Sequence, residues 1–165
     1  MSDKNLGILE AVEIAMEAEL KANKFYLDAL KIVSNERGKD LLQQLANFEQ
    51  KHYDKLNELK TSIIDKGEFV EYDGTEFAPF KGKVSAEISG KIESNKDDVL
   101  DILTMAIDAE TKANEHYRKM ADETTNAKGK DMFLKLADEE TLHRRILSDE
   151  FYQLSNKGGI WSWGD

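Results

Sequence analysis

The strongest constraint on how this chain folds is that it is written twice. Laying residues 8–59 over residues 99–150, an offset of 91 with no gap, gives 17 identities in 52 positions. They include Glu19/Glu110, Tyr26/Tyr117, Gly38/Gly129, Glu49/Glu140 and His52/His143. A chance ungapped match would not pair so many polar residues, so a half-molecule has been duplicated and both halves should fold alike. Each half reads as two helices, 6–33 and 37–65 in the first, 98–124 and 127–155 in the second. Ser34 and Asn35 supply the break and the next cap in one half, Thr125 and Asn126 the break in the other. Connections this short force each helix pair into an antiparallel hairpin.

The expected architecture is all-α, a four-helix bundle made of two duplicated hairpins. In 165 residues it fits a single domain with a proper core: hairpin 6–65, crossover 66–97, hairpin 98–156 and an aromatic tail 157–165. The segment between the hairpins carries Gly67, Gly74, Pro79, Gly82 and Gly90 and is too long for a tight turn, so it should cross the bundle. Residues 85–93 could add a short helix there. In the tail, Trp161 and Trp163 are expected to cover an apolar patch or a subunit contact.

The apolar stripe of each helix, read at spacings of three and four, is interrupted near its middle by acid and imidazole. The second helix runs Leu42, Leu45, Glu49, His52, Leu56, Leu59, and the fourth Phe133, Leu136, Glu140, His143, Leu147. The first runs Val12, Ala15, Glu19, Ala22, Tyr26, and the third Leu103, Ala106, Glu110, Ala113, Tyr117. Glu and His at i and i+3 share a helix face, so both side chains of each pair converge on one point. Four glutamates and two histidines would then meet in one core.

A carboxylate buried without a partner costs several kcal/mol. Four together would repel one another, whereas two divalent cations would cancel their charge and accept the neutral imidazoles as ligands. Glu19, Glu49, His52, Glu110, Glu140 and His143 are therefore the expected metal ligands. Ala15, Ala22, Ala106 and Ala113 leave room beside them. Tyr26 and Tyr117, two turns beyond Glu19 and Glu110, are expected to support the ligands through phenol–carboxylate hydrogen bonds. His116, whose repeat mate is Phe25, reads as a surface histidine. Glu150 lies on the stripe near a helix end, opposite Leu59 in the repeat, and reads as a residue reaching water rather than a ligand.

Composition narrows the chemistry further. Lys+Arg 23 against Asp+Glu 33 gives a formal net charge of -10, which repels phosphate backbones and argues against nucleic acid as a partner. There are no cysteines, so thiolate zinc sites, iron–sulfur clusters and disulfides within this sequence are excluded, and any metal must be held by oxygen and nitrogen. No run approaches the ~18 apolar residues that span a membrane. Residues 1–9 lack the basic-then-apolar pattern of a signal peptide, and a cytoplasmic location is the expectation.

These residues resemble the rubrerythrin branch of the ferritin-like superfamily. Glu19, Ala22 and Tyr26, repeated as Glu110, Ala113 and Tyr117, carry the likeness together with the ExxH pairs Glu49/His52 and Glu140/His143. The resemblance covers both hairpins. It implies a ferritin-like bundle with a non-haem di-iron centre, Glu49 and Glu140 bridging, and Glu19, His52, Glu110 and His143 as terminal ligands. It further implies two iron ions cycling between Fe2+ and Fe3+, with manganese or zinc open alternatives in the same ligand set. The implied activity is a di-iron oxidoreductase reducing hydrogen peroxide or dioxygen. The alternatives are a ferroxidase or iron-sequestering protein, and a metal-stabilised bundle with a binding role. Rubrerythrins usually carry a four-cysteine rubredoxin-like domain, which this sequence lacks, so electrons would come from a separate rubredoxin-like donor protein. Many also carry an additional glutamate near the third-helix ligand. Here the residues one turn from Glu110 are Ala106, Ile107, Ala113 and Asn114. A homo-oligomer, a dimer in the first place, is expected.

Overall fold

The computed structural model describes residues 3–77 and 95–156. The described residues form four helices: α1 (Asp3–Ala29), α2 (Glu36–Lys66), α3 (Lys96–Glu123) and α4 (Ala127–Asn156). The expected helix within 85–93 and the tail tryptophans Trp161 and Trp163 lie outside the described residues. No described helix is long and apolar enough to cross a membrane.

The duplication extends to single hydrogen bonds. Asn35 Oδ1 accepts from Gly38 N at 3.0 Å and caps α2, and Asn126 Oδ1 accepts from Gly129 N at 3.1 Å at the start of α4. Inside the hairpins, Asn23 Nδ2 donates to the Ala46 carbonyl and its repeat mate Asn114 to the Ala137 carbonyl, each at 2.8 Å. α1 packs on α2 and α3 on α4, and the two hairpins meet through α1 and α3.

α1 ends four residues earlier than its apolar stripe predicts. After Ala29 the backbone tightens, with Lys31 N bonding Asp28 O and Ile32 N bonding Ala29 O in i→i−3 fashion. Val33 is nonetheless buried. The stripe reported burial correctly, and burial outlasted the helix. At the other end of the crossover, Asn95 Nδ2 donates to the Ile32 carbonyl at 2.5 Å and so ties the start of α3 to the loop after α1.

α2 ends on Gly67, whose positive φ of 67° lets its N–H bond back to Ile63 O. The chain then passes over α4. Phe69 lies so close to Gly129 that a Cβ there would sit 2.5 Å from its ring. Lys135 Nζ donates to the Tyr72 carbonyl at 3.1 Å, and Phe77 stacks on Phe48 of α2 with ring centroids 4.4 Å apart. The first part of the crossover thus covers the ground between α2 and α4.

The core is two apolar clusters rather than one. One gathers Val12, Leu56, Leu59, Met120, Phe133 and Leu136, the other Val33, Leu42, Leu45, Val99, Leu103 and Leu147. Between them lies a buried layer of Glu19, Glu49, His52, Glu110, Glu140 and His143. Apolar packing on both sides fixes the helices that carry this polar layer.

Candidate metal centre

All six stripe residues turn inward, and both imidazoles are 0% exposed. They fall into two overlapping groups, Glu19–Glu49–His52–Glu140 and Glu49–Glu110–Glu140–His143, in each of which one donor atom per residue lies within 4.8 Å of the others. Glu49 and Glu140 belong to both. Each hairpin's ExxH glutamate therefore stands between two positions, while Glu19 with His52 and Glu110 with His143 stand at the flanks. Glu150, expected to reach water, is instead buried, and it belongs to neither group.

The donor set has a shape that protein partners alone leave unfinished. Glu19 Oε2, Glu49 Oε1, His52 Nδ1, Glu110 Oε2, Glu140 Oε1 and His143 Nδ1 are all buried without a hydrogen bond of acceptable geometry. His52 Nδ1 comes within 2.9 Å of Glu140 Oε1 and 3.4 Å of Glu19 Oε1, and His143 Nδ1 within 3.4 Å of Glu49 Oε1. Buried polar atoms are ordinarily satisfied, so one such atom from each of six residues, all converging, fits a pair of divalent cations with oxygen and nitrogen ligands.

Without cations the layer keeps protons. Burial pushes the Glu49 carboxyl well above its usual range, and the charges of Glu140 and Glu19 push it further. Burial also acts to raise Glu140, but the imidazoles of His143 and His52 outweigh it and hold that carboxyl down at about 2. For His52, burial favours the neutral ring, yet the carboxylates of Glu19, Glu139 and Glu140 prevail and its pKa is raised. The central pair of glutamates is thus split into one protonated and one ionised member. Burial, with the neighbouring carboxylates, raises Glu49, and the two imidazoles hold Glu140 down.

The tyrosines cross between hairpins. Tyr26 of α1 donates to Glu110 Oε1 of α3 at 2.6 Å, and Tyr117 of α3 donates to Glu19 Oε1 of α1 at 2.5 Å. Helical side chains lean toward their own N-terminus, and α1 and α3 run in opposite directions, so each phenol arrives at the carboxylate of the other hairpin. Burial raises both phenols well above the ordinary value, followed by the nearby carboxylates, so they act as donors and not as phenolates. His116 is half-buried rather than on the surface, its Nε2 3.1 Å from the Ala11 carbonyl of α1.

Alanines make the approach. Ala15, Ala18 and Ala22 on α1 and Ala106, Ala109 and Ala113 on α3 line a cavity of about 480 Å³ that reaches Glu19, Glu49, Glu110 and Glu140. Ile14 and its repeat mate Met105, each 60% exposed, also line it.

Sequence reasoning passed over Glu139. Its carboxylate lies 3.3 Å from His52 Nε2, receives the Tyr72 hydroxyl, and accepts the Thr75 backbone N–H at 3.0 Å. The repeat held a signal for it: Glu139 stands where the other half has Phe48, a charge replacing an aromatic beside a buried glutamate.

Four helices in two duplicated hairpins, with a buried carboxylate–imidazole layer at mid-height, define a ferritin-like four-helix bundle. The sequence profile of the Rubrerythrin family matches residues 1–60 and 101–158, and the chain belongs to that family. Among solved structures it is similar to a hypothetical protein from Pyrococcus furiosus, with 26% identity, a TM-score of 0.72, and 93% of each chain covered. No curated protein matches the chain. Family and buried cluster together fit a di-iron site.

Proposed function

We propose that the chain is a non-haem di-iron oxidoreductase that reduces hydrogen peroxide, or dioxygen, with electrons from a separate donor protein. The observation that carries this reading is the pair of four-residue groups sharing Glu49 and Glu140. Glu49 and Glu140 would contribute to holding both ions, Glu19 and His52 would hold one of them, and Glu110 and His143 the other. When bound, a pair of ferrous ions would supply the two electrons that cleave the O–O bond of hydrogen peroxide, and dioxygen would draw two more from the donor protein. The residues of this chain provide the rest. The carboxylates balance the added charge, the Tyr26 and Tyr117 hydroxyls hold Glu110 and Glu19 in place, and the two apolar clusters keep bulk water out. The alanine-lined cavity gives a small oxidant access to the carboxylates.

An external, rubredoxin-like protein is the proposed electron donor.

The test is anaerobic loading with ferrous ions followed by rapid mixing with peroxide. Two ions bound per chain and stoichiometric peroxide loss are expected. Ion binding without peroxide loss would remove the peroxidase reading, and rapid oxygen uptake with continued iron accumulation would replace it with ferroxidase and storage.

A further inference from the structure

Duplicated halves invite the assumption of two equal metal positions, and the structure contradicts it at the far side of each imidazole. His52 Nε2 faces Glu139 Oε2 at 3.3 Å, and that carboxylate is fixed in turn by the Tyr72 hydroxyl and the Thr75 N–H. His143 Nε2 is buried with no hydrogen-bond partner among the described residues. The repeat mate of Glu139, Phe48, stands edge-to-face against the His143 ring at 4.8 Å, and Phe77 does so at 5.5 Å.

The consequence is a difference in preparation. A ring that donates its Nε2–H to a carboxylate is locked in the tautomer whose Nδ1 lone pair faces the cluster, and it becomes a more basic ligand. His52 is therefore preset once a cation displaces the proton that its Nδ1 shares with Glu140 Oε1, 2.9 Å away, because Glu139 keeps the other proton on Nε2. For His143 no described residue rewards a proton on Nε2, whereas Nδ1–H can point at Glu49 Oε1 and Glu110 Oε2, 3.4 and 3.6 Å away. To bind a cation it must move that proton to the outer nitrogen, against an aromatic wall.

We infer that the two metal positions are unequal, the His52 position filling first and holding its ion more tightly, with Glu139 as the positioning residue that sets the order. Partners of this kind change metal affinity by about 10–100-fold. This inference rests on the metal reading above.

The test is an anaerobic calorimetric titration of the full chain with Co2+. Wild type is expected to show two steps of one ion each, at least about 10-fold apart in Kd. Glu139→Gln should weaken the first step by about 10–100-fold and leave the second within about twofold. Nitrogen-15 spectra of the histidines at one equivalent of Zn2+, assigned with His143→Gln, supply a readout that loosened packing would not imitate. The His52 signals should shift first, and Glu139→Gln should abolish that preference. Two indistinguishable steps in wild type, or equal weakening of both steps in Glu139→Gln, would overturn the inequality while leaving metal binding intact. No Co2+ binding by wild type would overturn the metal reading and this inference with it.

Discussion

Tyr117 and Glu19 belong to different hairpins, and the 2.5 Å hydrogen bond between them is one of a matched pair of phenol–carboxylate links between α1 and α3, the other joining Tyr26 to Glu110. Each link ties the docking of the hairpins to the orientation of a carboxylate at the site. The duplicated half supplies a donor and an acceptor, and only the pair of halves satisfies both.

Tyr117→Phe should accordingly destabilise the metal-free protein by roughly 1–3 kcal/mol, the cost of a buried acceptor left without its donor. Tyr26→Phe should do the same. Urea denaturation measures this. Unchanged midpoints would mean that the phenols only fill space.

Most of the site could be read from sequence because the duplication repeated it. Glu19, Glu49, His52 and their mates interrupt apolar stripes twice at one offset, and local periodicity says which way each points. What could not be read depends on the docking of one hairpin against the other. Tyr26 sits two turns from Glu19 in its own helix, and nothing local says that its hydroxyl will meet Glu110 instead. Glu139 was hidden for the opposite reason: matching the halves draws attention to identities, and Glu139 matters because Phe48 is its mate. Tyr72, Thr75 and Phe77 lie in irregular backbone with no periodicity to betray a facing side. α1 stopped at Ala29 because an apolar stripe records burial, and a tightened turn can bury Val33 as well as a helix can.

Glu49→Ala or Glu140→Ala should abolish binding of two metals per chain, since each residue belongs to both four-residue groups. His116→Ala should leave the stoichiometry at two. Its only described hydrogen bond is to the Ala11 carbonyl, so a loss of about 1 kcal/mol in stability is the expected effect. Elemental analysis after loading and desalting decides; equal losses in all three variants would count against the ligand assignment.

The metal-free protein should be most stable in mildly acidic solution. Glu49 and His52 have folded pKa values raised above 4.5 and 6.5, so each keeps a proton that the unfolded chain has released. Their contributions are complete below those unfolded values and disappear as pH rises through the folded ones. Glu140 acts in the other sense: at about 2 when folded, it contributes stability above 4.5 that is lost as pH falls toward 2. Unfolding midpoints between pH 5 and 9 should therefore decline with pH. Two equivalents of Zn2+ should remove most of the decline, because cations then do the work of the protons. A metal-free midpoint that climbs from pH 6.5 to 9 would show that the layer is not protonated as described.

Two glycine substitutions separate close packing from helix propensity. Gly129→Ala puts a methyl group 2.5 Å from the Phe69 ring and 2.9 Å from Thr124 Cγ2, which should cost about 1–3 kcal/mol and lift the crossover from α4. Gly7→Ala meets nothing within 4 Å on an exposed turn of α1 and should stabilise by roughly 0.5–1 kcal/mol. Chemical denaturation of both reads the difference in sign.

The alanine-lined cavity can be tested apart from the ligands. Ala18 and Ala109 are repeat mates, both exposed, and both line the cavity without belonging to either four-residue group. Phenylalanine at these positions places a ring over the opening while leaving the six buried side chains and their tyrosines in place. Metal stoichiometry should stay at two, and stability should change by no more than about 0.5 kcal/mol, as for other surface substitutions. If the oxidant arrives between α1 and α3, the double variant Ala18→Phe/Ala109→Phe should slow the bimolecular reaction of the ferrous protein with peroxide by about 10-fold or more, roughly 1.4 kcal/mol in the barrier. A first-order step that follows should be unaffected, since the ring adds nothing at the carboxylates. Unchanged second-order kinetics would place the entrance elsewhere than between α1 and α3.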